Sequence, residues 1–472
     1  MNALRAELPT AKVFHRAENR PYMITAHPAG VRYYLAAKGS PAEVLALCRY
    51  RLVNGELLEL DEAAHADILD QNEEMAGKAL RVLATAYGYA DALEGLKPAD
   101  LIWVGLTGME DMLRPGVAEL MDQFHAAGIQ TVMITGDQSA TAFSVGQRLR
   151  VNGDKPLEIV DSASLDKLEP EILKNVVQDT TVFARVSPAH KVRIVQALQA
   201  SGKVVAMTGD GINDGPALKA ADVGVAMGGQ GSDVARAVAD IVLEDDNIST
   251  MITAVQQGRT IYGNISKSLR FLLSSNMGEV EVMLIGTALG LGEVLSPVQL
   301  LWINLVTDIF PAMALSMEPP EPDVLKQPPR DPKKPILDRD DFLEMLRESL
   351  VMTAGTFAVY AFSASRYGPG PKVGTNVFMT LTAGQFLHAL SCRSERATLL
   401  EQSDRPPNPY LTAAVAGSFG IQALAAVFPP LRAILRLAPI GPLDIAAIAA
   451  GAVVPMLVNE SIKKAKANAT PE

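Results

Sequence analysis

The sequence predicts a doubly wound α/β unit that follows a small α+β unit and precedes an all-α membrane bundle of six helices. Two observations carry this prediction. Short apolar runs alternate with helical stretches between about residues 100 and 250, and apolar segments of about 20 residues recur from about residue 269 onward. The first pattern is typical of α/β folds, and the second matches the length that crosses a bilayer. We expect domain bounds at 1–97, 98–262 and 263–472.

The composition of the chain excludes several classes of function. The chain has 472 residues, of which 48% are hydrophobic, and a formal net charge of −11. An acidic chain of this kind is not expected to bind nucleic acid. Its two cysteines, Cys48 and Cys392, predict neither a disulfide framework nor a metal clip. The first 16 residues have no apolar core, so no signal peptide is expected there.

The small α+β unit covers about residues 10 to 95. Tyr22–Thr25 and Val31–Ala36 alternate in polarity like antiparallel strands. Lys38, Gly39, Ser40 and Pro41 then predict a turn. Glu43–Tyr50 follows as a predicted helix.

The α/β unit contains six short apolar runs of the kind that form buried parallel strands. They are Leu101–Leu106, Thr131–Thr135, Leu157–Val160, Thr181–Ala184, Val204–Met207 and Val223–Ala226. Helical stretches such as Pro115–Ala127 and Pro188–Ala200 separate them. In a doubly wound sheet the chemistry gathers at the carboxyl ends of the strands, so residues that follow these runs are candidates for a site.

The stretch from Met207 to Asp222 is the most informative one in the chain. It places Asp210, Asn213, Asp214 and three glycines directly after an apolar run. Carboxylate and amide oxygens suit Mg²⁺, and glycines let the backbone approach a ligand closely. The pattern predicts a magnesium and phosphoryl site, against the plain alternative of a polar turn.

Three further motifs fall near predicted strand ends. Asp111 and Arg114 precede a helix, Thr135-Gly136-Asp137 follows an apolar run, and Lys191 opens the helix at Pro188. Taken singly, Lys191 reads as a solvated helix lysine and Thr135 as an ordinary helix cap. Their order along the chain favours phosphoryl transfer, which needs positioning groups and charge neutralisation.

The membrane half contains six apolar segments, which we place at about 269–291, 297–316, 344–365, 374–392, 410–428 and 442–460. Lys and Arg concentrate at Lys326–Arg339, Arg393–Arg405 and Lys463–Lys466. The positive-inside rule then predicts that the soluble half and the C-terminus face the cytoplasm.

Polar residues in the first two segments predict an ion site. Asn276 and Glu279 share a helical face, with Glu281 nearby, and Asn304, Thr307 and Asp308 share a second one. Intramembrane carboxylates are costly and therefore point to function. An all-oxygen set from two helices suits a hard cation such as Ca²⁺, and the alternative is hydrogen bonding between helices alone.

These motifs together resemble those of the P-type cation-transporting ATPases, within the haloacid-dehalogenase-like superfamily, and the calcium-pump-like branch in particular. The resemblance runs from Phe14 to the C-terminus. It implies an ATP-driven, multi-pass protein of the cell membrane that uses ATP and Mg²⁺. Asp210 would then hold Mg²⁺, supported by Asn213 and Asp214. Thr135, Gly136, Asp137 and Lys191 would surround the phosphoryl group.

The resemblance also assigns a nucleotide pocket. Phe14 matches the aromatic residue that stacks on adenine, and Lys38 with Gly39 matches a Lys-Gly-Ala-Pro-Glu motif in which Ala42 replaces the glutamate. Arg81 matches an arginine that reaches the ATP phosphates. Asp111 and Arg114 match an Asp-Pro-Pro-Arg motif that has lost both prolines.

In the membrane half, five residues match calcium-pump ion ligands: Asn276, Glu279, Asn304, Thr307 and Asp308. Gln385 stands where that branch carries a glutamate, so one ligand is neutralised. Manganese and H⁺ remain alternatives to Ca²⁺ as the transported ion.

The chain also departs from the family. It contains no Asp-Lys-Thr-Gly-Thr, which would carry the phosphorylated aspartate, and no Thr-Gly-Glu-Ser loop or Pro-Glu-Gly-Leu-Pro helix break. We therefore expect the C-terminal half of a split pump, inactive alone, which needs a separate N-terminal half with the actuator domain and the first four membrane helices. The alternatives are a truncated remnant, a stand-alone phosphatase, and a membrane protein that binds cations or nucleotide without turnover.

Overall fold

The computed structural model describes residues 8–17, 20–77, 80–96, 98–109, 113–229, 231–394, 397–399, 401 and 405–469. The chain divides into two compact units, Met1–Thr250 and Met251–Glu472. We call them the α/β unit and the helical unit.

The α/β unit begins with a seven-stranded sheet in the order β1-β2-β3-β6-β7-β4-β5. Its strands are β1 Lys12–Phe14, β2 Tyr22–Ala29, β3 Arg32–Gly39, β4 Cys48–Val53, β5 Glu56–Glu59, β6 Arg81–Ala90 and β7 Leu101–Met109. Helices α1 Pro41–Leu45 and α2 Glu62–Gly77 connect some of them. Alternate residues of β2, β3 and β6 point to one face and form a core with Trp103, so this sheet buries a single face.

Two predicted elements near this sheet are wrong. The predicted helix Glu43–Tyr50 ends at Leu45, and Cys48–Val53 forms β4 instead, because it pairs with β5 and with β7. The run Leu101–Leu106 was expected in the doubly wound sheet, but it belongs to β7. There it pairs antiparallel with β6 and parallel with β4. Apolar runs alone do not identify the sheet that a strand will join.

The remaining apolar runs form two parallel sheets of three strands each, not one continuous sheet. The first has the order β8-β10-β9, with β8 Met133–Ile134, β9 Ile159–Asp161 and β10 Val182–Ala184. The second has the order β11-β12-β13, with β11 Ala206–Gly209, β12 Val223–Met227 and β13 Ile241–Leu243. The helices are α3 Val117–Ala126, α4 Ser139–Arg148, α5 Ser162–Leu165, α6 Pro170–Asp179, α7 Pro188–Ala200, α8 Gly215–Ala220 and α9 Asp233–Val238.

Both parallel sheets share apolar contacts. Ile134 on β8 and Val205 before β11 each pack against the core clusters of both sheets. Strands β8 and β11 are edge strands of their sheets within the part of the chain that the structure describes. The strands that precede Thr135 and Asp210 therefore border the same apolar region, and within the described part of the chain each has one edge without a backbone partner.

The helical unit contains a helix over most of each predicted apolar segment. These helices are α10 Thr250–Ala288, α11 Pro297–Ile303, α12 Ile309–Leu315, α13 Arg339–Tyr367, α14 Pro371–Ser391, α15 Pro409–Val427, α16 Pro429–Ile434 and α17 Pro442–Ala469. A π-helical turn, Asn304–Asp308, joins α11 to α12. Among the described residues, Pro297–Leu315, Pro409–Val427 and Pro442–Asn468 are long and apolar enough to cross a membrane.

Two glycines allow α13 and α17 to pack closely. A Cβ atom on Gly355 would lie 2.4 Å from Cγ of Pro455, and one on Gly451 would lie 2.4 Å from a methyl of Val359. Small residues of this kind let membrane helices approach each other. Helix α14 also packs against both helices, and it carries Gln385 into the middle of the unit.

Candidate functional site

Asp214 is held in place by the structure around it. Its Oδ1 accepts a hydrogen bond from Nζ of Lys191 at 2.5 Å, and its Oδ2 accepts one from the Gly211 N–H at 3.3 Å. The residue is only 8% exposed. Lys191 comes from the first turn of α7, and Asp214 from the short 3₁₀ turn Ile212–Asp214 after β11. This buried ion pair fixes the position of the lysine ammonium.

Asp210 and Asn213 are exposed, in contrast to Asp214. Asp210 follows directly on the last residue of β11, and its carbonyl accepts a hydrogen bond from Ser232 N–H at 2.8 Å. Gly209 just before it has no room for a side chain, because a Cβ there would lie 2.5 Å from Cβ of Asp214. The loop thus combines one fixed carboxylate with one accessible carboxylate, and the accessible one suits Mg²⁺.

The motif at Thr135 follows β8 and is tied to β10. Thr135 N–H donates to the Phe183 carbonyl at 2.9 Å, which continues the strand pairing. The Thr135 hydroxyl donates to Oδ2 of Asp137 at 2.9 Å and accepts from the Asp137 N–H at 3.1 Å. Gly136 and Asp137 are exposed. The hydroxyl therefore lies at an open strand end, within reach of a ligand.

The sequence reasoning missed Asp161, which lies at the end of β9 in the same sheet. The Ala163 N–H and the Ser139 hydroxyl bind its carboxylate at 3.1 and 3.0 Å. These hydrogen bonds, with a smaller contribution from Arg185, hold the pKa of Asp161 below its usual value of 3.8. The available signal was the apolar pair Ile159-Val160 just before an aspartate.

A cavity of about 380 Å³ in the seven-stranded sheet contains Lys38, Gly39 and Arg81 in its lining. Arg16 and Tyr22 line it too, and the sequence reasoning did not identify them. Gly39 permits the close approach of β2 and β3, since a Cβ there would lie 2.4 Å from Cβ of Tyr22. Two arginines and a lysine around one cavity suit a polyphosphate.

Three other residues that the sequence predicted for the nucleotide pocket either do not line this cavity or lie outside the described residues. Phe14 packs against the core of the seven-stranded sheet, and the Lys12 ammonium lies 5.2 Å from the centre of its ring. Arg114 donates to the Asp246 carbonyl at 3.2 Å. Asp111 lies outside the described residues.

In the helical unit, Glu279 and Gln385 meet between α10 and α14. Nε2 of Gln385 donates to Oε1 of Glu279 at 3.0 Å. Glu279 is 6% exposed and Gln385 1%. The sequence predicted both residues, but only the structure shows that the amide binds the carboxylate directly.

Asp308 forms the second pair of this cluster. Nδ2 of Asn276 donates to its Oδ2 at 3.3 Å. Asp308 ends the π-helical turn, which local sequence patterns did not predict and which is frequent at functional sites. Thr307 is buried and its hydroxyl donates to the Ile303 carbonyl. Asn304 is exposed, and its amide donates to the Leu300 carbonyl at 3.1 Å.

Three buried oxygens in this region have no hydrogen-bond partner among the described residues. They are Oδ1 of Asp308, Oε1 of Gln385 and Oγ of Ser275. Unpaired buried oxygens are rare and costly, and a bound cation would satisfy them. The described residues contain no group of three or more His, Cys, Asp and Glu side chains arranged for a metal. A cation here would thus depend on amide and hydroxyl oxygens beside two carboxylates, which fits Ca²⁺.

Glu281 contacts a different helix from Glu279. Its two carboxylate oxygens accept hydrogen bonds from the Ser349 and Thr353 hydroxyls of α13, at 2.6 and 2.7 Å. These donors satisfy Glu281, so we assign it to packing between α10 and α13.

Comparison with known proteins adds independent findings. A model of the P-type ATPase cytoplasmic domain N matches residues 1–116, and a model of the cation-transporting ATPase C-terminus matches residues 292–465. Together the two models cover more than half of the chain.

The chain is also similar to curated calcium-transporting ATPases. It is 37% identical over 470 residues to Calcium-transporting ATPase 1 of Bacillus cereus, covering 95% of this chain and 52% of that protein. It is 38% identical to Calcium-transporting ATPase of Bacillus subtilis, covering 87% of this chain and 46% of that protein. For Calcium-transporting ATPase type 2C member 1 of Homo sapiens the identity is 35%, over 90% of this chain and 46% of that protein.

The chain spans about half the length of these relatives. The part they share contains the loop at Asp210, the motif at Thr135 and the paired polar residues of α10 and the π-helical turn. These findings agree with the resemblance seen in the sequence, and the chain belongs to the P-type cation-transporting ATPases.

Proposed function

We propose that this chain is the C-terminal half of an ATP-driven cation transporter, with Ca²⁺ as the transported ion, and that it acts with a separate N-terminal half. In this proposal residues 1–97 are part of a nucleotide-binding domain, residues 98–262 a haloacid-dehalogenase-like phosphorylation domain, and residues 263–472 a six-helix membrane domain. The observation that carries the proposal is that both candidate sites are partly formed and both are open on one side.

In the α/β unit the open side is a pair of strand edges. Strands β8 and β11 border one apolar region, and neither has a backbone partner on its outer edge within the described residues. Unpaired strand edges are sites for the addition of another strand. A parallel strand from the partner half, added there, would bring its own carboxyl end toward Thr135 and Asp210. We expect that strand to carry the phosphorylated aspartate.

In the helical unit the open side is the face that carries the amides. Asn276 and Asn304 are exposed, whereas Glu279 and Asp308 beside them are buried. Polar amides on an exposed membrane-helix surface are costly when they face lipid. A further membrane helix from the partner half would cover them and complete the oxygen ligands of the cation.

The proposed roles follow from these positions. Asp210 would hold Mg²⁺, which supplies charge to neutralise the phosphoryl group. The Thr135 hydroxyl would bind a phosphoryl oxygen, and the Lys191 ammonium, fixed by Asp214, would face the charge that develops during transfer. Asn213 would orient the magnesium site, and Asp137 would face the nucleotide. Lys38 and Arg81 would bind ATP in the cavity of the seven-stranded sheet.

The membrane orientation is part of the same proposal. The basic segments Lys326–Arg339 and Lys463–Lys466 support an orientation in which the α/β unit and the C-terminus would face the cytoplasm. Six membrane crossings of this chain are consistent with that orientation. The site of action would be the cell membrane.

The test is reassembly in membranes. We would co-express this chain with the N-terminal segment of the Bacillus subtilis relative that the chain does not match. After incubation with ATP labelled at the γ-phosphate, we expect a Ca²⁺-dependent, acid-stable label on the N-terminal segment, and none on this chain. Asp210→Asn should reduce the label at least 100-fold, because the magnesium site is lost.

The alternative function is a membrane protein that binds cations or nucleotide without turnover. It predicts no labelling in the presence of the partner segment, although Ca²⁺ and nucleotide still bind. Label on this chain itself would contradict both readings, since it would require a phosphorylated aspartate among its own residues.

A further inference from the structure

The helical unit contains a polar cavity that no role described above uses. Its volume is about 480 Å³, and it lies between the N-terminal half of α10 and the segment that follows α12. Six charged side chains line it: Arg259, Lys267, Arg330, Lys334, Glu321 and Asp331. Four of these are cationic and two are anionic, so the lining carries a positive balance.

The carboxylate of Glu321 is already engaged. Nζ of Lys267 lies 2.6 Å from its Oε1, and Nη1 of Arg405 lies 3.1 Å from its Oε2. Arg405 adds a further positive charge beside the cavity. The negative charge of Glu321 is therefore neutralised by Lys267 and Arg405, and it does not cancel the charges of Arg259, Arg330 and Lys334.

Arg330 is the cation best placed to bind an anion. Its guanidinium stacks over the ring of Tyr262, with 4.6 Å between the guanidinium carbon and the ring centre. It also donates to the carbonyls of Pro335 and Ile336. None of these contacts involves a carboxylate. A guanidinium held by an aromatic ring and by carbonyls keeps its full charge and a fixed orientation, which suits a phosphate group.

Arg259, which lies on α10, is fixed in a similar way. It donates to the carbonyls of Val324 and Gln327, at 3.0 and 2.7 Å. Burial lowers the pKa of its guanidinium below the usual value.

The position of the cavity indicates where the anion comes from. Pro319 and Glu321 follow the membrane-crossing segment Pro297–Leu315 by four and six residues. On α10, the lining residues between Gly258 and Lys267 precede the apolar segment that begins at about residue 269. Both walls of the cavity thus lie next to the ends of apolar segments, at the level of lipid headgroups.

We propose that this cavity binds a phosphate group at the membrane surface, through Arg330 and its neighbouring cations. Two sources carry that chemistry: the headgroup of an anionic phospholipid and a soluble phosphate. The location favours the lipid. The proposal is independent of transport, because binding can be measured without turnover or a partner chain.

The test uses the full chain in detergent and native mass spectrometry to count bound lipid. We expect phosphatidylglycerol to bind at least tenfold more tightly than phosphatidylcholine. Each surface cation near an anionic headgroup contributes about fivefold in affinity. Arg330→Gln should therefore weaken phosphatidylglycerol binding about fivefold. Adding Lys334→Gln should weaken it further but by less than about fivefold, because Lys334 lies 3.8 Å from the carboxylate of Asp338. Arg330→Lys should recover part of the loss.

Lys464→Gln is the matched control, because it removes an exposed lysine that pairs with Glu401 away from the cavity. It should change binding less than twofold. Inorganic phosphate, added as a competitor, distinguishes the sources: displacement of the lipid at millimolar concentration assigns the site to soluble phosphate, and retention assigns it to the lipid. Equal binding by the wild type and the double variant, or an equal loss in the control, overturns the proposal.

Discussion

The proposed phosphoryl loop of the α/β unit, residues 209–214, and the proposed ion cluster of the helical unit, Asn276, Glu279, Asp308 and Gln385, each contain two carboxylates, but these carboxylates lie in opposite environments. In the loop, Asp214 is buried with a lysine partner and Asp210 is exposed to water. In the cluster, Glu279 and Asp308 are both buried, and each accepts a hydrogen bond from a side-chain amide, at 3.0 Å from Gln385 and at 3.3 Å from Asn276. In the loop the protein itself pairs the buried carboxylate, whereas among the described residues the cluster retains unpaired oxygens that a cation would bind.

The largest expected effect is on the buried pair of the loop. Asp214→Ala leaves the Lys191 ammonium without its carboxylate and removes the acceptor of the Gly211 N–H. Breaking a buried ion pair from one side costs about 3–5 kcal/mol. Hydrogen exchange of the β11 and β12 amides in the full chain would measure the loss. Asp210→Ala in the same loop is the control and should change stability by less than about 0.5 kcal/mol.

Two glycine substitutions test whether the loop requires the close approach of the Gly209 backbone to Asp214. Gly209→Ala would place a Cβ 2.5 Å from Cβ of Asp214, so the carboxylate must move away from Lys191. Such overpacking costs about 1–3 kcal/mol. Gly136→Ala, in the motif at Thr135, meets nothing within 4 Å and should be nearly neutral. Equal effects of the two changes, measured by the same exchange experiment, would contradict this account.

The ion cluster should respond in the opposite direction. Glu279→Gln removes a buried charge whose described hydrogen-bond donor is the neutral amide of Gln385, so the cation-free chain should gain stability, on the order of 1 kcal/mol, because an unpaired charge is costly to bury. The same change should weaken Ca²⁺ binding at least tenfold, because a carboxylate ligand is lost. Thermal unfolding and equilibrium binding of radioactive Ca²⁺ would measure the two effects. If the Glu279→Gln variant is instead less stable than the wild type without Ca²⁺, the protein itself stabilises the Glu279 carboxylate, as Lys191 stabilises that of Asp214.

The sequence predicted those features of the two sites that depend on consecutive residues, and it did not predict those that depend on contacts between distant residues. The loop at Asp210 and the helix Pro188–Ala200 follow from consecutive residues, and the structure has them where the sequence places them. The sheet joined by β7, the pairing of Gln385 with Glu279 and the π-helical turn depend on distant residues. An alternating pattern shows which side chains of a strand point to the same face, but it does not show which strand pairs with it. These features were therefore visible only in the structure.

The smallest effect concerns Asp161, the carboxylate at the end of β9. Because its pKa in the folded chain lies below the usual value of 3.8, the deprotonated form stabilises the fold. That contribution is complete above the unfolded value and is lost as the pH falls through the folded one. Asp161→Asn should therefore reduce the stability of the α/β unit at pH 7 only slightly, and the difference from the wild type should disappear toward pH 2. A difference that instead grows on acidification would mean that protonation of Asp161 stabilises the sheet, and that its hydrogen bonds to Ala163 and Ser139 favour the neutral form.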